Sequence, residues 1–258
     1  MSEVRLLDGK AAIVTGAGGG VGYGIAMAMA MHGANVVIAA RRPDNGEPAA
    51  RAINDASTVG SGVYFRCDVT QRSSIEATVA FTVRTFGRLD CVVHNAVSSV
   101  GAPTEIQDIE PDLWKGMVSS AVRASFDCAQ VAYPHLKAAQ GSYILITSAT
   151  GIEGSPYLPV YGMVKAAQRG FGKSLAREWG PEGIRVNLIG PVAMTPALEV
   201  AYKANPVLES RLARRTPLQR VGDPAADIGP AAVFFASDLA RFVAGQTLIV
   251  DGGGFMGL

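Results

Sequence analysis

Short apolar runs rich in β-branched residues alternate along the chain with longer stretches of helical periodicity. The runs fall at 11–14, 36–40, 63–67, 89–93, 143–147, 184–189 and 247–250. None alternates strictly between apolar and polar positions, which is the pattern of parallel strands covered on both faces. Helix boundaries punctuate the stretches between them. Ser73 with Glu76 reads as a capping box, and Gly87 closes the same helix. A later helix through Lys165 and Phe171 stops at Gly180-Pro181, and Asp223-Pro224 reads as an N-cap followed by proline at the first helical position. Repeated strand–helix–strand order predicts an α/β fold with a doubly wound parallel sheet and right-handed crossovers.

No low-complexity linker or internal repeat divides the chain, so residues 1–258 read as a single domain. The longest irregular stretch, 190–222, contains Thr195, Pro206 and Pro217. An excursion of that length in a compact fold predicts a segment that covers a substrate; the alternative is a helical surface excursion without a role.

Composition narrows the classes. Hydrophobic residues make up 48% of the chain and charged residues 17%, enough for the core of one large α/β domain. A formal net charge of +1 carries no basic footprint for nucleic acid. Cys67, Cys91 and Cys128 form no C-x-x-C pair and read as buried thiols in a reducing cytosol. His32, His94 and His135 are scattered, with no spacing of metal ligands. Residues 11–40 hold no Asp, Glu, Lys or Arg, which by length alone would suggest a membrane span. Glycines interrupt that run at its start and again at His32-Gly33, so it reads as strand, glycine turn, buried helix and strand. No basic region precedes the first strand, and the expectation is a cytoplasmic protein with no membrane partner.

The turn TGAGGGVG, Thr15 to Gly22, joins the first strand to the first helix. Glycines at Gly16, Gly20 and Gly22, with Gly19 and Val21 in the same turn, let backbone N–H groups approach a pyrophosphate at a helix N-terminus. The spacing differs from G-x-G-x-x-G, but its place between first strand and first helix gives it the same physics. After the second strand, where an NAD site offers a carboxylate to the ribose 2′-hydroxyl, the chain reads IAARRP. Arg41 and Arg42 suit a 2′-phosphate through charge-assisted contacts, so NADP(H) is expected over NAD(H); the alternative is a solvated turn with two ordinary arginines.

Tyr161 and Lys165 are four residues apart and share a helix face. Ser148 ends an apolar run shortly before them. A free phenol has a pKa near 10; an ammonium about 4 Å away at an effective dielectric near 20 would lower it by on the order of three units.

With the glycine turn, Asp68 after the third strand, HNAV from His94 after the fourth, and Ser148 followed by Tyr161-x-x-x-Lys165, the chain resembles the classical short-chain dehydrogenase/reductase family. The likeness runs from about Leu7 to GQTLIVDGG at Gly245–Gly253. It implies a Rossmann-type, doubly wound, seven-stranded parallel sheet in the order 3-2-1-4-5-6-7 with helices on both faces, hydride transfer between a nicotinamide and a carbonyl or alcohol, and frequently a homotetramer. Carried onto this sequence, Asp68 with Val69 meets the adenine, and Asn95 and Ala96 line the adenosine ribose region. Tyr161 is the acid/base, Ser148 holds the substrate oxygen, Lys165 holds the nicotinamide ribose, and Thr195 touches the carboxamide.

Three positions depart from the family pattern. Ala121 stands where the family carries an asparagine that holds a water linking the lysine to a proton relay; Ser119 and Ser120 are the neighbouring hydroxyls that could replace it. Val97 replaces the glycine of N-A-G, and GPVAMTP replaces the usual Pro-Gly after the sixth strand. Ile152, Tyr157 and Leu158 would form an apolar wall for a small-molecule carbonyl or alcohol substrate. Arg211, Arg214 and Arg215 either meet an acidic acyl carrier or coenzyme A thioester or form a solvated helix face, the second being the ordinary behaviour of such a run. The leading expectation is an NADPH-dependent carbonyl reductase; the alternative is a nucleotide-binding sensor or assembly subunit without turnover.

Overall fold

The computed structural model describes residues 5–98, 104–156, 158–205 and 207–256. Seven parallel strands form one sheet in the order β3-β2-β1-β4-β5-β6-β7. They are β1 (Ala11–Thr15), β2 (Asn35–Ala40), β3 (Ser61–Arg66), β4 (Cys91–His94), β5 (Ser142–Ile146), β6 (Arg185–Pro191) and β7 (Thr247–Val250). The helices between them are α1 (Gly20–Met31), α2 (Pro43–Ala56), α3 (Arg72–Phe86), α4 (Pro111–Met117), α5 (Ala124–Ala139), α6 (Thr150–Glu153), α7 (Pro159–Trp179), α8 (Pro196–Ala204), α9 (Val207–Arg215) and α10 (Gly229–Ala236).

Strand side chains divide between two buried layers, which is why the strands lack a polar face. Val14, Val36 and Ile38 pack with Ile25 and Met29 of α1 and Phe235 of α10 on one side. Ile13, Val37 and Ala39 pack with Val79 of α3, Leu136 of α5 and Leu175 of α7 on the other. A smaller cluster of Met117, Ala121, Val160 and Val164, with Val97 and Tyr161 against it, sits at one end of the sheet. None of the described helices is long and apolar enough to cross a membrane; α1 belongs to the core. Cys67, Cys91 and Cys128 are all buried free thiols.

Most predicted boundaries are present, with two corrections. Gly87 ends α3 in the left-handed conformation at φ 75°, and Asp223 accepts hydrogen bonds from Ala225 N and Ala226 N. The Ser73–Glu76 capping box does not form. The cap of α3 is Gln71, two residues earlier, and the Glu76 carboxylate accepts from Arg72 Nε at 3.0 Å. The stretch 190–222 is not irregular throughout: its polar and apolar residues fold as α8 and α9.

Candidate functional site

A cleft of about 1020 Å³ lies at the C-terminal edge of the sheet. Strands β1 and β4 are neighbours there, and the helices that follow them pack on opposite faces. Chain reversal of this kind opens a crevice for a ligand. Gly16, Gly19, Gly20 and Val21 wall one part of it; Arg41, Arg42, Asp68 and Val69 wall another. Asn95, Ala96, Tyr161, Lys165 and Thr195 complete the predicted set that reaches the cleft.

Gly22 does not line it. A Cβ at that position would stand 2.5 Å from Asn95 Nδ2 and 2.6 Å from the Gly16 carbonyl oxygen, so Gly22 lets α1 pack closely behind the turn. Gly16 and Gly20 take φ 67° and 55°, the left-handed region that favours glycine. Asn95 Nδ2 donates to the carbonyls of Thr15 and Gly16 at 3.0 and 3.2 Å. Thr15 Oγ1 in turn accepts from the backbone N–H of Asn95 and of Ala96. These bonds fasten the glycine turn to the end of β4. Helix α1 starts from Gly19 without a side-chain cap and without an acidic residue in its first turn. The positive end of its dipole therefore meets the cleft uncompensated.

Beyond the turn, Arg41 and Arg42 are exposed at the start of α2. Asn45 shares their part of the wall, and the sequence reading missed it. Its buried Oδ1 has no hydrogen-bond partner among the described residues, and a Cβ on Gly18 would lie 2.6 Å from it. An amide one turn after two arginines was the available signal. Asp68 Oδ1 accepts from the backbone N–H and the hydroxyl of Thr70 at 3.0 and 2.8 Å, which orders the carboxylate at the cleft.

Pro159 opens α7, so Tyr161 lies in its first turn and Lys165 one turn later. Lys165 Nζ sits 5.6 Å from the Tyr161 ring centre. Ser148 is absent from the cleft wall itself; its Oγ accepts from Thr150 N at 3.2 Å, and its hydroxyl is near enough to the Tyr161 phenol to act on that group's pKa. The expected lowering of the phenol is not seen. Burial dominates and raises the Tyr161 pKa, while the Ser148 hydroxyl lowers it by less. Lys165 is itself buried, and loss of water brings its pKa down to about 7. Its ammonium points at the strand end, donating to the Ile146 carbonyl at 2.6 Å. His94, buried beside Thr15 Oγ1 at 3.1 Å, is pushed down to about 3, by burial first and by Lys165 second.

Part of the 190–222 stretch folds against the glycine turn. Thr195, Pro196 and Leu198 line the cleft, and the Thr195 hydroxyl accepts from Leu198 N at 3.2 Å. Val97 and Leu158 line it as well; Ile152 does not, and Tyr157 lies outside the described residues. Arg214 and Arg215 are exposed on α9 away from the cleft, and the Arg211 side chain lies outside the described set. Ala121 is fully buried inside a π-helical turn, Val118–Arg123. Ser120 Oγ is engaged by Gly116 O and Ser98 N rather than by Lys165.

The polar groups of the cleft fit a nicotinamide dinucleotide. An uncapped helix N-terminus and two guanidinium groups suit phosphates, and the orphaned Asn45 amide oxygen has a hydrogen bond still to make.

Comparison with known proteins agrees with this architecture. A family described as enoyl-(acyl carrier protein) reductase matches residues 16–254. A 3-oxoacyl-[acyl-carrier-protein] reductase of Chlamydia muridarum is 35% identical, covering 96% of this chain and 98% of the relative. The L-fucose dehydrogenase of Oryctolagus cuniculus is 36% identical, covering 96% of this chain and 86% of the relative. The solved structure of a 7α-hydroxysteroid dehydrogenase complexed with NADH and 7-oxo glycochenodeoxycholic acid has a TM-score of 0.89 at 32% identity, covering 100% of this chain and 99% of that one. On full-length similarity of this kind, carried by the same sheet order, the chain belongs to the short-chain dehydrogenase/reductase family of oxidoreductases.

Proposed function

We propose that the protein transfers hydride reversibly between NADP(H) and a ketone, aldehyde or alcohol, with Tyr161 as acid/base. The carrying observation is the continuity of one cleft from Arg41 and the glycine turn to Tyr161 and Lys165. A bound dihydronicotinamide supplies the hydride that reaches the carbonyl carbon. Tyr161 gives its phenolic proton to the carbonyl oxygen, and its phenolate takes the proton back when an alcohol is oxidised. Burial keeps the phenol protonated near neutral pH, which suits the reducing direction.

Ser148 accepts from Thr150 N, leaving its own hydrogen to donate to the substrate oxygen as charge grows there. Lys165 holds the nicotinamide ribose hydroxyls and, as a cation on the same helix face, favours the tyrosinate formed on proton release. Arg41 and Arg42 bind the 2′-phosphate, and Asp68 meets the adenine. Val97, Leu158 and Leu198 give the substrate end an apolar wall, which supports an apolar ketone, and the start of α8 borders it through Pro196 and Leu198.

The test is a screen of carbonyl compounds with NADPH and with NADH, followed by loss of dihydronicotinamide absorbance. Turnover with NADPH, abolished in Tyr161→Phe, supports the reading. Faster turnover with NADH would remove the role given to Arg41 and Arg42. Nucleotide binding without turnover across the screen would favour the sensor or assembly subunit instead.

A further inference from the structure

Ala121 lacks the side chain that would anchor a water near the lysine, yet Lys165 is not left loose. Gln168 follows it by three residues on α7, on the same face, and is 1% exposed. Its Oε1 accepts from Lys165 Nζ at 3.0 Å. Its Nε2 donates to Ser125 Oγ at 2.9 Å and to the Ala121 carbonyl at 3.3 Å. Ser125 Oγ donates to that same carbonyl at 2.6 Å. The π-helical turn at Val118–Arg123 is where the backbone presents this carbonyl toward α7. The amide therefore has a charged donor on one side and two acceptors on the other, all within the core.

We propose that Gln168 is a positioning residue: its amide clamps the Lys165 ammonium between α7 and the Ala121 carbonyl, replacing the family's asparagine-held water with a side chain. The inference rests on the proposed role of Lys165 in holding the cofactor. An amide fixed at both ends holds the ammonium in place but, unlike water, does not pass a proton along. The lysine's position is thereby held without the relay that the water serves.

The experiment is titration of NADPH binding against pH in the full-length protein, with melting temperature as the folding control. The titratable side chains facing Lys165 are Tyr161 from α7, whose pKa is raised, and His94 from β4, which stays neutral above about 3. An alkaline fall in affinity that begins near 7 therefore belongs to Lys165. Gln168→Met removes an acceptor from the charged form, so the fall moves to lower pH and affinity drops on the order of tenfold to a hundredfold. Gln168→Glu keeps the shape and places an opposite charge beside the ammonium, so the fall moves to higher pH; this variant carries the test if the methionine variant does not fold.

A wild-type pH profile in a folded Gln168→Glu protein overturns the proposal. Lys165→Met separates the two readings. If it loses NADPH binding while the Gln168 variants keep it, only the clamp is wrong. If it binds NADPH as the wild type does, the role given to Lys165 fails, and the clamp with it.

Discussion

The Asn95 carboxamide donates to the Gly16 carbonyl at 3.2 Å, so the glycine turn after β1 is held by the end of β4 rather than by its own loop. Gly22 packs into the same spot. A methyl group in Gly22→Ala would drive against both partners and displace the turn. We expect a loss of about 1–3 kcal/mol in stability, with weaker NADPH binding than in an equally destabilised variant elsewhere. Urea unfolding paired with NADPH titration checks both parts.

Arg41→Ala removes a cation from the wall that is proposed to hold the 2′-phosphate. A charge-assisted hydrogen bond of this kind is worth about 1.5–3 kcal/mol, so NADPH affinity should fall roughly tenfold to a hundredfold. NADH affinity should stay within about twofold, since that ligand lacks the phosphate; the factor follows from a contact worth under about 0.5 kcal/mol. Equal losses for both nucleotides would point to a disturbed α2 instead.

Tyr161→Phe deletes one hydroxyl and leaves the ring in the cluster with Val160 and Val164. Proton transfer by a positioned acid contributes on the order of a hundredfold to ten-thousandfold, and turnover should fall by that much. NADPH binding should be unchanged. Single-turnover kinetics on a substrate from the carbonyl screen distinguishes this from a change in product release.

His94 makes the protein acid-sensitive. Its folded pKa of about 3 lies below the ordinary 6.5, so the unfolded chain binds the extra proton first as pH falls. Stability should therefore decline between 6.5 and 3, by up to about 1.4 kcal/mol per pH unit from this group. Chemical denaturation of the wild type and of His94→Gln across that window tests it: the variant loses stability near neutral pH but also loses this share of the slope.

Lys165 acts with the same sign in the alkaline window. Its folded pKa of about 7 is below the ordinary 10.5, so between those values the unfolded chain again holds the extra proton and stability rises with pH. Lys165→Met should be more stable than the wild type below pH 7, with the difference shrinking toward 10.5. A constant difference across that range would mean that burial of the ammonium is compensated by its bonds to Ile146 and Gln168.

The strands were legible because each is a short apolar run bounded by turn residues, and Thr247–Val250 coincides with its expected range. The end of α3 at Gly87 was legible because a left-handed cap favours glycine. Its beginning was not: Ser73 and Glu76 have capping spacing, but Arg72 takes the Glu76 carboxylate and the helix starts from Gln71. The interior of 190–222 was left between an irregular cover and a helical excursion, because prolines and mixed polarity mark turns without excluding the short helices α8 and α9 between them.

By itself the sequence determined the α/β class and strand positions, along with most of the cleft's walls. Apolar runs, glycine turns and the Tyr161–Lys165 spacing are local patterns that one chain segment can carry. Tertiary structure alone decided where Gly22 and Asn45 sit, which way the Lys165 ammonium points, and that Gln168 meets the Ala121 carbonyl. Those relations join segments distant along the chain, and burial in the assembled core sets the charge states. The phenol shows why this matters: spacing argued for a lowered Tyr161 pKa, but removal from water raised it.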